Sequence, residues 1–391
     1  MTKRISQVAL PVIVACLLRL TFACVADETV DIRAHHKMAR VYASGGQLYT
    51  DTAHIPYVYP PPWWFVTHAA DVLAQRFGDF PFWIILPSLL ADVGTVWLLA
   101  LFWSPLLAWL YALNPVALVI TSLHGQFDPI PTFFSVLALV LFQRSRRTSA
   151  ALSLAGAIAV KSFPVLLVPL FMRRVSGWWN RIAFGCLAIL PTMVLLLPHW
   201  LRDAHAVRTQ AFGHTGVIDQ GWLAFVRHSP GIFRPPYTPD AITATAVPYA
   251  KAAFLFAYGL VVAWDVIRPA QQRPLVRMIA VVYLLFYVIY TNLSSQYLIW
   301  ALPFLLIANP CFGVVYTIAA SFALFGFYTA VWPGILYPKG IPRPLLSPAA
   351  RLMWYRCGTL AWWAASATGL IVARRLGNGT SRARATAAVR N

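Results

Sequence analysis

The stretch TSAALSLAGAIAVKSFPVLLVPLFM, residues 148–172, decides how the chain is threaded. It is apolar apart from Lys161 and a break at Pro164, and arginines bound it on both sides: Arg144, Arg146 and Arg147 before, Arg173, Arg174 and Arg181 after. A single crossing would put the two basic clusters on opposite sides of a bilayer and invert every later segment. A hairpin keeps them together. Each arm would have about 12 residues, or ~18 Å at 1.5 Å per residue, well short of the ~30 Å hydrocarbon layer. The expectation is two short, partly re-entrant helices with Lys161 near the tip. Broken helices at that depth are tolerated where they line a protein cavity.

Outward from this hairpin the chain is oily throughout. Of its 391 residues 59% are hydrophobic and only 11% charged, so the chain belongs in a membrane. The net charge of +19 comes from short basic clusters between apolar runs. That is the positive-inside pattern and argues against a nucleic-acid surface. Lys3 and Arg4 set the N-terminus in the cytoplasm, and the apolar run 6–26, interrupted by Arg19, reads as a retained first span rather than a cleaved leader. A first outer loop is expected at 27–78, with an interfacial helix over 63–77. Further spans follow at 80–102, 104–122, 130–143, 181–199, 249–267, 278–293, 297–309, 311–331 and 352–373, with a long outer loop at 200–248. The fold class is therefore all-α: a polytopic bundle of about 10–13 transmembrane helices, short re-entrant ones included, forming one integral membrane domain over 1–373. Residues 374–391 read as a basic cytoplasmic tail. On this threading all nine histidines and ten of the twelve acids fall on the outer face, which makes that face the place for chemistry.

The first outer loop begins DETVDIRAHH, with Asp27, Glu28 and Asp31 close behind a span and Arg33 between them and His35–His36. Carboxylates at a half-dry interface gain basicity and suit proton abstraction, although acids flanking a helix are also ordinary solvated groups. The adjacent histidines lack H-x-x-x-H spacing, so metal ligation is not indicated. The five cysteines form no CxxC, which excludes a zinc knuckle or disulfide framework as a design feature. His124-Gly125-Gln126-Phe127-Asp128-Pro129 concentrates polar groups and turn-formers at an outer span end, and Gln296–Tyr297 does so at another. Asp92 and Lys161 fall within apolar spans, where an ionisable group is costly unless paired, so they read either as a structural ion pair or as functional groups. No phosphate-cradling glycine loop or nucleophile elbow is present.

Taken in order, Asp31, Gly46-Gln47-Leu48-Tyr49, Tyr57-Val58-Tyr59-Pro60-Pro61, Asp92, Asn114-Pro115, the HGQFD turn, Lys161-Ser162-Phe163-Pro164 and Gln296-Tyr297-Leu298-Ile299-Trp300 resemble the GT-C superfamily of polytopic glycosyltransferases. The likeness is to bacterial mannosyltransferase-like members that use polyprenyl-phosphate sugars, related to the first mannosyltransferase of GPI-anchor synthesis. It implies a catalytic acid in the first outer loop: Asp31, with Asp27 or Glu28 standing for the first acid of the family's Asp-x-Asp, where this chain has Thr29-Val30-Asp31. It also implies a donor-phosphate site at Lys161, His124, Gln296 and Tyr297. Substrate contacts fall to Arg33, Tyr59, Gln126, Asp128 and His214, and Asp92 becomes a structural charge within the membrane. The implied activity is inverting transfer of a hexosyl unit, here mannosyl, from a polyprenyl-phosphate donor to a lipid or glycan acceptor at the extracytoplasmic face. No cofactor is implied, and a divalent metal is compatible but not required. The alternatives are a transporter or flippase of lipid-linked sugars, and an enzyme moving another sugar or an acyl group. An internal repeat would favour transport, and none is seen.

Overall fold

The computed structural model describes residues 2–26, 28–52, 55, 57–213, 216–233, 235–267, 274–337 and 346–375. Asp27 and His214 lie outside the described residues, as does the tail over 376–391. The described chain is helical, and its lone β-type contact is the isolated bridge between Gln220 and Leu293.

The residues sort into two compact units. The first holds Met1–Gly216, Gln296–Pro303 and Val331–Leu346; the second holds Val217–Ser295, Phe304–Ala330 and Ser347–Asn391. Within the first, α1 (Thr2–Val25) packs on α4 (Phe80–Phe102), with α2 (Val30–Ala43) and α3 (Pro62–Phe77) between them in sequence. The segment expected as a loop is therefore largely helix α2. Thr29 caps it, its hydroxyl accepting from the Ile32 amide at 3.2 Å, and Asp31 in the first turn suits the positive end of the helix dipole. Ile32, His35, Met38 and Ala39 make the buried face. The mixed polarity of DIRAHHKMAR hid that face, because three of its neighbours are charged or imidazole groups. The interfacial helix expected at 63–77 forms as α3, opened by Pro62 at its first position, where no amide partner is needed. The Trp64 indole donates to the Met38 carbonyl at 3.2 Å and ties α3 to α2.

The 148–172 stretch forms a hairpin. Helix α7 (Pro129–Gln143) is followed by α8 (Arg147–Val160), a break at Lys161–Ser162, a 3₁₀ turn at Phe163–Leu167 and a short α9 (Val168–Met172). The guanidinium of Arg147 donates to the Ser176 hydroxyl at 3.2 Å, so the two ends of the segment meet. Phe142 packs edge-on against Phe171 at 5.2 Å on the same side. Helix α10 (Trp178–Arg202) then runs back along α8.

Among the described residues five helices are long and apolar enough to cross a membrane: Ser6–Val25, Phe80–Phe102, Trp178–Arg202, Pro239–Ile267 and Pro310–Val331. A sixth arises if the bent pair α5 (Pro105–Ala112) and α6 (Pro115–Leu118, continuing to Leu123) counts as one span. The expected 10–13 also counted short helices, and five further apolar helices of 10–17 residues are present among the described residues. Asn114–Pro115 breaks the 104–122 run with a 49° bend, because proline cannot continue the helix before it. The runs at 129–143, 275–289 and 295–308 form helices of 15 residues or fewer, about 22 Å at most. Outward faces still expose Leu10, Leu17, Val194, Leu197, Phe256 and Leu260, the surface of an all-helical membrane protein. In the second unit, the Gly221 amide donates to Thr359 at 2.7 Å and the Tyr355 hydroxyl to the Asp219 carbonyl at 2.6 Å, fastening the loop before Gly221–Arg227 to helix Pro348–Arg375.

Candidate functional site

The first unit brings the sequence's chemical residues together around one carboxylate. Asn114 caps α6 and Pro115 opens it, after which the helix widens into a π-turn at Val119–Leu123. Such widened turns relocate the residues that follow them. Here the His124 amide reaches the Val119 carbonyl at 2.8 Å and the Gln126 amide reaches that of Ile120 at 3.0 Å. Gly125 between them takes φ +73°, and a Cβ there would lie 2.8 Å from Ile32 Cδ1 of α2 and 3.2 Å from Ile85 Cδ1 of α4. Only glycine meets both demands. Thr29 completes the junction, its hydroxyl donating to the His124 carbonyl at 3.2 Å.

The result is convergence on Asp31. His124 Nε2 lies 3.0 Å from Asp31 Oδ2, and Gln126 Nε2 donates to the same oxygen at 2.5 Å. A carboxylate at that distance demands the amide nitrogen rather than its oxygen, which fixes how Gln126 points. His124 and Gln126 are buried, yet the Asp31 side chain stays 39% exposed. The carboxylate is thus gripped from the protein side and open on the other. Burial pushes the Asp31 carboxyl up, but the His124 hydrogen bond and the nearby His124, His35 and Lys161 hold it below the ordinary aspartate value of 3.8.

One helical turn along α2, His35 is buried, edge-on to Trp63 at 5.5 Å and to Phe127 at 5.8 Å. Neither of its ring nitrogens has a hydrogen-bond partner. Burial pushes it down to about 4 despite the opposing pull of Asp31, so it is neutral at pH 7.

Behind the HGQ turn lies a second, closed cluster. Lys161, at the tip of the hairpin, gives two hydrogen bonds to Asp128, at 2.9 and 2.8 Å, and the Trp300 indole donates to Asp128 at 2.5 Å. The Lys161 ammonium is walled by the rings of Phe127, Tyr297, Tyr59 and Trp300 at 5.0–5.8 Å, a cation–π cage. Trp300 is itself stacked between Phe163 and Tyr297, at 3.6 and 4.1 Å. Burial, with the negative charges of Asp31 and Asp128 among its neighbours, keeps the Tyr59 phenol well above its usual value and therefore neutral.

Asp92 does not pair with Lys161. It pairs with Arg19 of α1 at 2.6 Å, and it also accepts from Tyr111 at 2.7 Å and Thr121 at 3.1 Å. Arg19 further bonds the Ala112 carbonyl at 2.9 Å, one of the groups freed by the α5–α6 break. The reading of Asp92 and Lys161 as one ion pair is therefore corrected: each has its own partner. Arg19, taken in sequence as a mere interruption of the first span, is the missing counter-charge.

Of the other expected site residues, Glu28 is exposed, and Arg33 reaches back to the Glu28 carbonyl at 3.0 Å rather than to Asp31. Gln296 is half-buried at the start of the turn that carries Tyr297. Trp300, Phe127 and Trp332, whose ring lies edge-on to His124 at 5.5 Å, join the site without having been singled out. Trp300 stood in the quoted QYLIW segment, and its position four residues after Gln296 was the available signal. Among the described residues no three His, Cys, Asp or Glu side chains converge as a metal site. Comparison of the chain with models of known families and with curated proteins finds no match.

Proposed function

We propose that the chain is a membrane glycosyltransferase of GT-C type, moving a hexosyl unit, mannosyl in the first instance, from a polyprenyl-phosphate donor to a lipid or glycan acceptor on the extracytoplasmic side. The observation that carries this reading is Asp31, ionised, directed by His124 and Gln126, and open on one face. An acceptor hydroxyl at that face would give its proton to Asp31 as its oxygen bonds the anomeric carbon. The bond from that carbon to the donor phosphate breaks on the opposite side, and its electron pair leaves with the phosphate. A carboxylate held this way contributes about 10²–10⁴-fold as a general base.

The ion pair with Asp128 already matches the Lys161 charge. We therefore assign Lys161 to fixing the Asp128–Trp300 wall of the pocket. His124 is engaged by Asp31 on the side of attack, so stabilisation of the leaving phosphate falls to other hydrogen-bond donors, with Gln296 and Tyr297 as the candidates. The test is transfer of radiolabelled mannose from polyprenyl-phosphate-mannose to an extractable glycolipid by the purified chain, with Asp31→Asn as control. Transfer that persists unchanged in Asp31→Asn would sink the assignment.

A further inference from the structure

The face of α2 turned away from Asp31 lines a second feature that the mechanism does not use. An open cleft of about 690 Å³ lies among α2, α3 and the start of α4. Its chemistry is carried by His36 and Arg40 of α2, Asp71 and Gln75 of α3, and Asp79 and Phe80 at the head of α4. Part of the cleft is already organised. Asp71 accepts from Gln75 at 2.8 Å and lies 3.3 Å from His36 Nε2, while the His36 ring is stacked on Phe80 at 4.3 Å. The rest is free to bind. Arg40 and Asp79 are exposed, and neither side chain makes a hydrogen bond or ion pair among the described residues. Asp79 sits in the left-handed region at φ +58°, as the turn residue that leads from Gly78 into α4.

The charge balance selects the ligand. Two carboxylates face one guanidinium and one imidazole, so a phosphate or sulfate entering the cleft would meet Asp71 and Asp79. A hydroxyl, which both donates and accepts, suits this alternation of carboxylate, amide and guanidinium. The volume lies within the range of small-ligand sites, about 300–1,000 Å³. Position adds a constraint. Arg40 is nine residues beyond Asp31, which on an α-helix is half a rotation away and ~14 Å along the axis.

We propose that this cleft is a carbohydrate-binding subsite that holds a neutral sugar of the acceptor glycan, remote from the hydroxyl that reacts at Asp31. The proposal rests on the sugar-transfer reading above for the identity of its ligand, and on the cleft alone for its existence. It gives the chain a second hold on a multi-sugar acceptor, so that longer acceptors bind more tightly without reacting faster per encounter at saturation.

The test is titration of the purified full chain in detergent with mannotriose, followed by saturation-transfer NMR of the sugar protons. Arg40→Gln and Asp79→Gly are compared with wild type and Asp31→Asn. Both cleft residues are exposed, and glycine keeps the left-handed backbone at 79, so unchanged circular dichroism and melting temperature are expected. Saturable binding should appear in wild type and Asp31→Asn and weaken at least tenfold in each cleft variant. Absence of saturable binding to wild type, or binding untouched by both cleft substitutions, overturns the proposal. So does preferential binding of glycerol 1-phosphate that Asp79→Gly strengthens, which would mark an anionic headgroup site. The two readings fail separately. Mannotriose binding without sugar transfer removes the enzyme and leaves the subsite; transfer to a single-sugar acceptor without mannotriose binding does the reverse.

Discussion

Asp92, in the middle of apolar helix α4, and Asp31, in the first turn of α2 just beyond apolar helix α1, end in opposite situations. Asp92 is fully enclosed, and Arg19, Tyr111 and Thr121 occupy both its oxygens. Asp31 has two donors crowded on a single oxygen, and its side chain keeps a 39% opening. The first carboxylate has spent its hydrogen-bonding capacity on holding α1, α4 and α5 together. The second retains an oxygen, Oδ1, with no donor among the described residues, on a side chain that is partly open. Both are charged and packed among protein groups; what separates them is the free hydrogen-bonding capacity that Asp31 keeps beside an opening.

The largest expected effect breaks this contrast from the reactive side. Asp31→Asn should lower the rate of sugar transfer by about 10²–10⁴-fold, the contribution of a positioned general base, while melting temperature stays within a few degrees. A variant that instead unfolds would show that Asp31 is structural like Asp92. From the other side, Asp92→Ala leaves Arg19 buried and uncompensated, a loss of about 3–5 kcal/mol. It should be read as a lowered thermal midpoint in detergent, and Arg19→Met combined with Asp92→Leu should recover most of it.

How much of this was legible in the sequence follows the same division. The hairpin at 148–172 could be read because arm length and flanking arginines act over few residues and depend only on bilayer thickness. Lys161 stood out as a charge inside an apolar run, and Asp31, His124 and Gln126 as polar groups in segments expected on the outer face; the structure draws them into one neighbourhood. Their pairing was not legible. Whether Lys161 meets Asp92 or Asp128 depends on the depth of the hairpin tip against a π-turn, and no local pattern announces a π-turn. Helix α2 was missed because its buried face carries a histidine, and the expected span count included short apolar runs, which read alike whether or not they cross.

Two smaller effects sharpen the comparison. The acid side of stability should contain a contribution from His35. Its folded pKa of about 4 lies below the unfolded 6.5, so the unfolded chain binds the extra proton between those values and stability falls as pH drops through that window. The loss amounts to about 2 kcal/mol between pH 7 and 5, and His35→Phe should flatten that part of the melting-temperature profile. Asp31 works in the same sense at lower pH: its lowered pKa contributes stability that is fully present above 3.8 and is lost as pH falls through the lower folded value. Last, Lys161→Met with Asp128→Asn replaces the closed cluster by a neutral pair. If that cluster only builds the wall, transfer should fall less than tenfold. A collapse to the Asp31→Asn level would return Lys161 to the phosphate.

Gly125 carries one more consequence. It touches no reactant and has no titratable or nucleophilic group, yet its bare α-carbon lets α2 and α4 close on the turn until His124 and Gln126 reach one oxygen. A methyl at this point would push on the side-chain tips of Ile32 and Ile85 and would have to hold a left-handed backbone that side-chain-bearing residues seldom adopt. In a saturation-mutagenesis screen for activity, position 125 would therefore rank beside the acid itself, and its intolerance would record a steric clearance, not a chemical role.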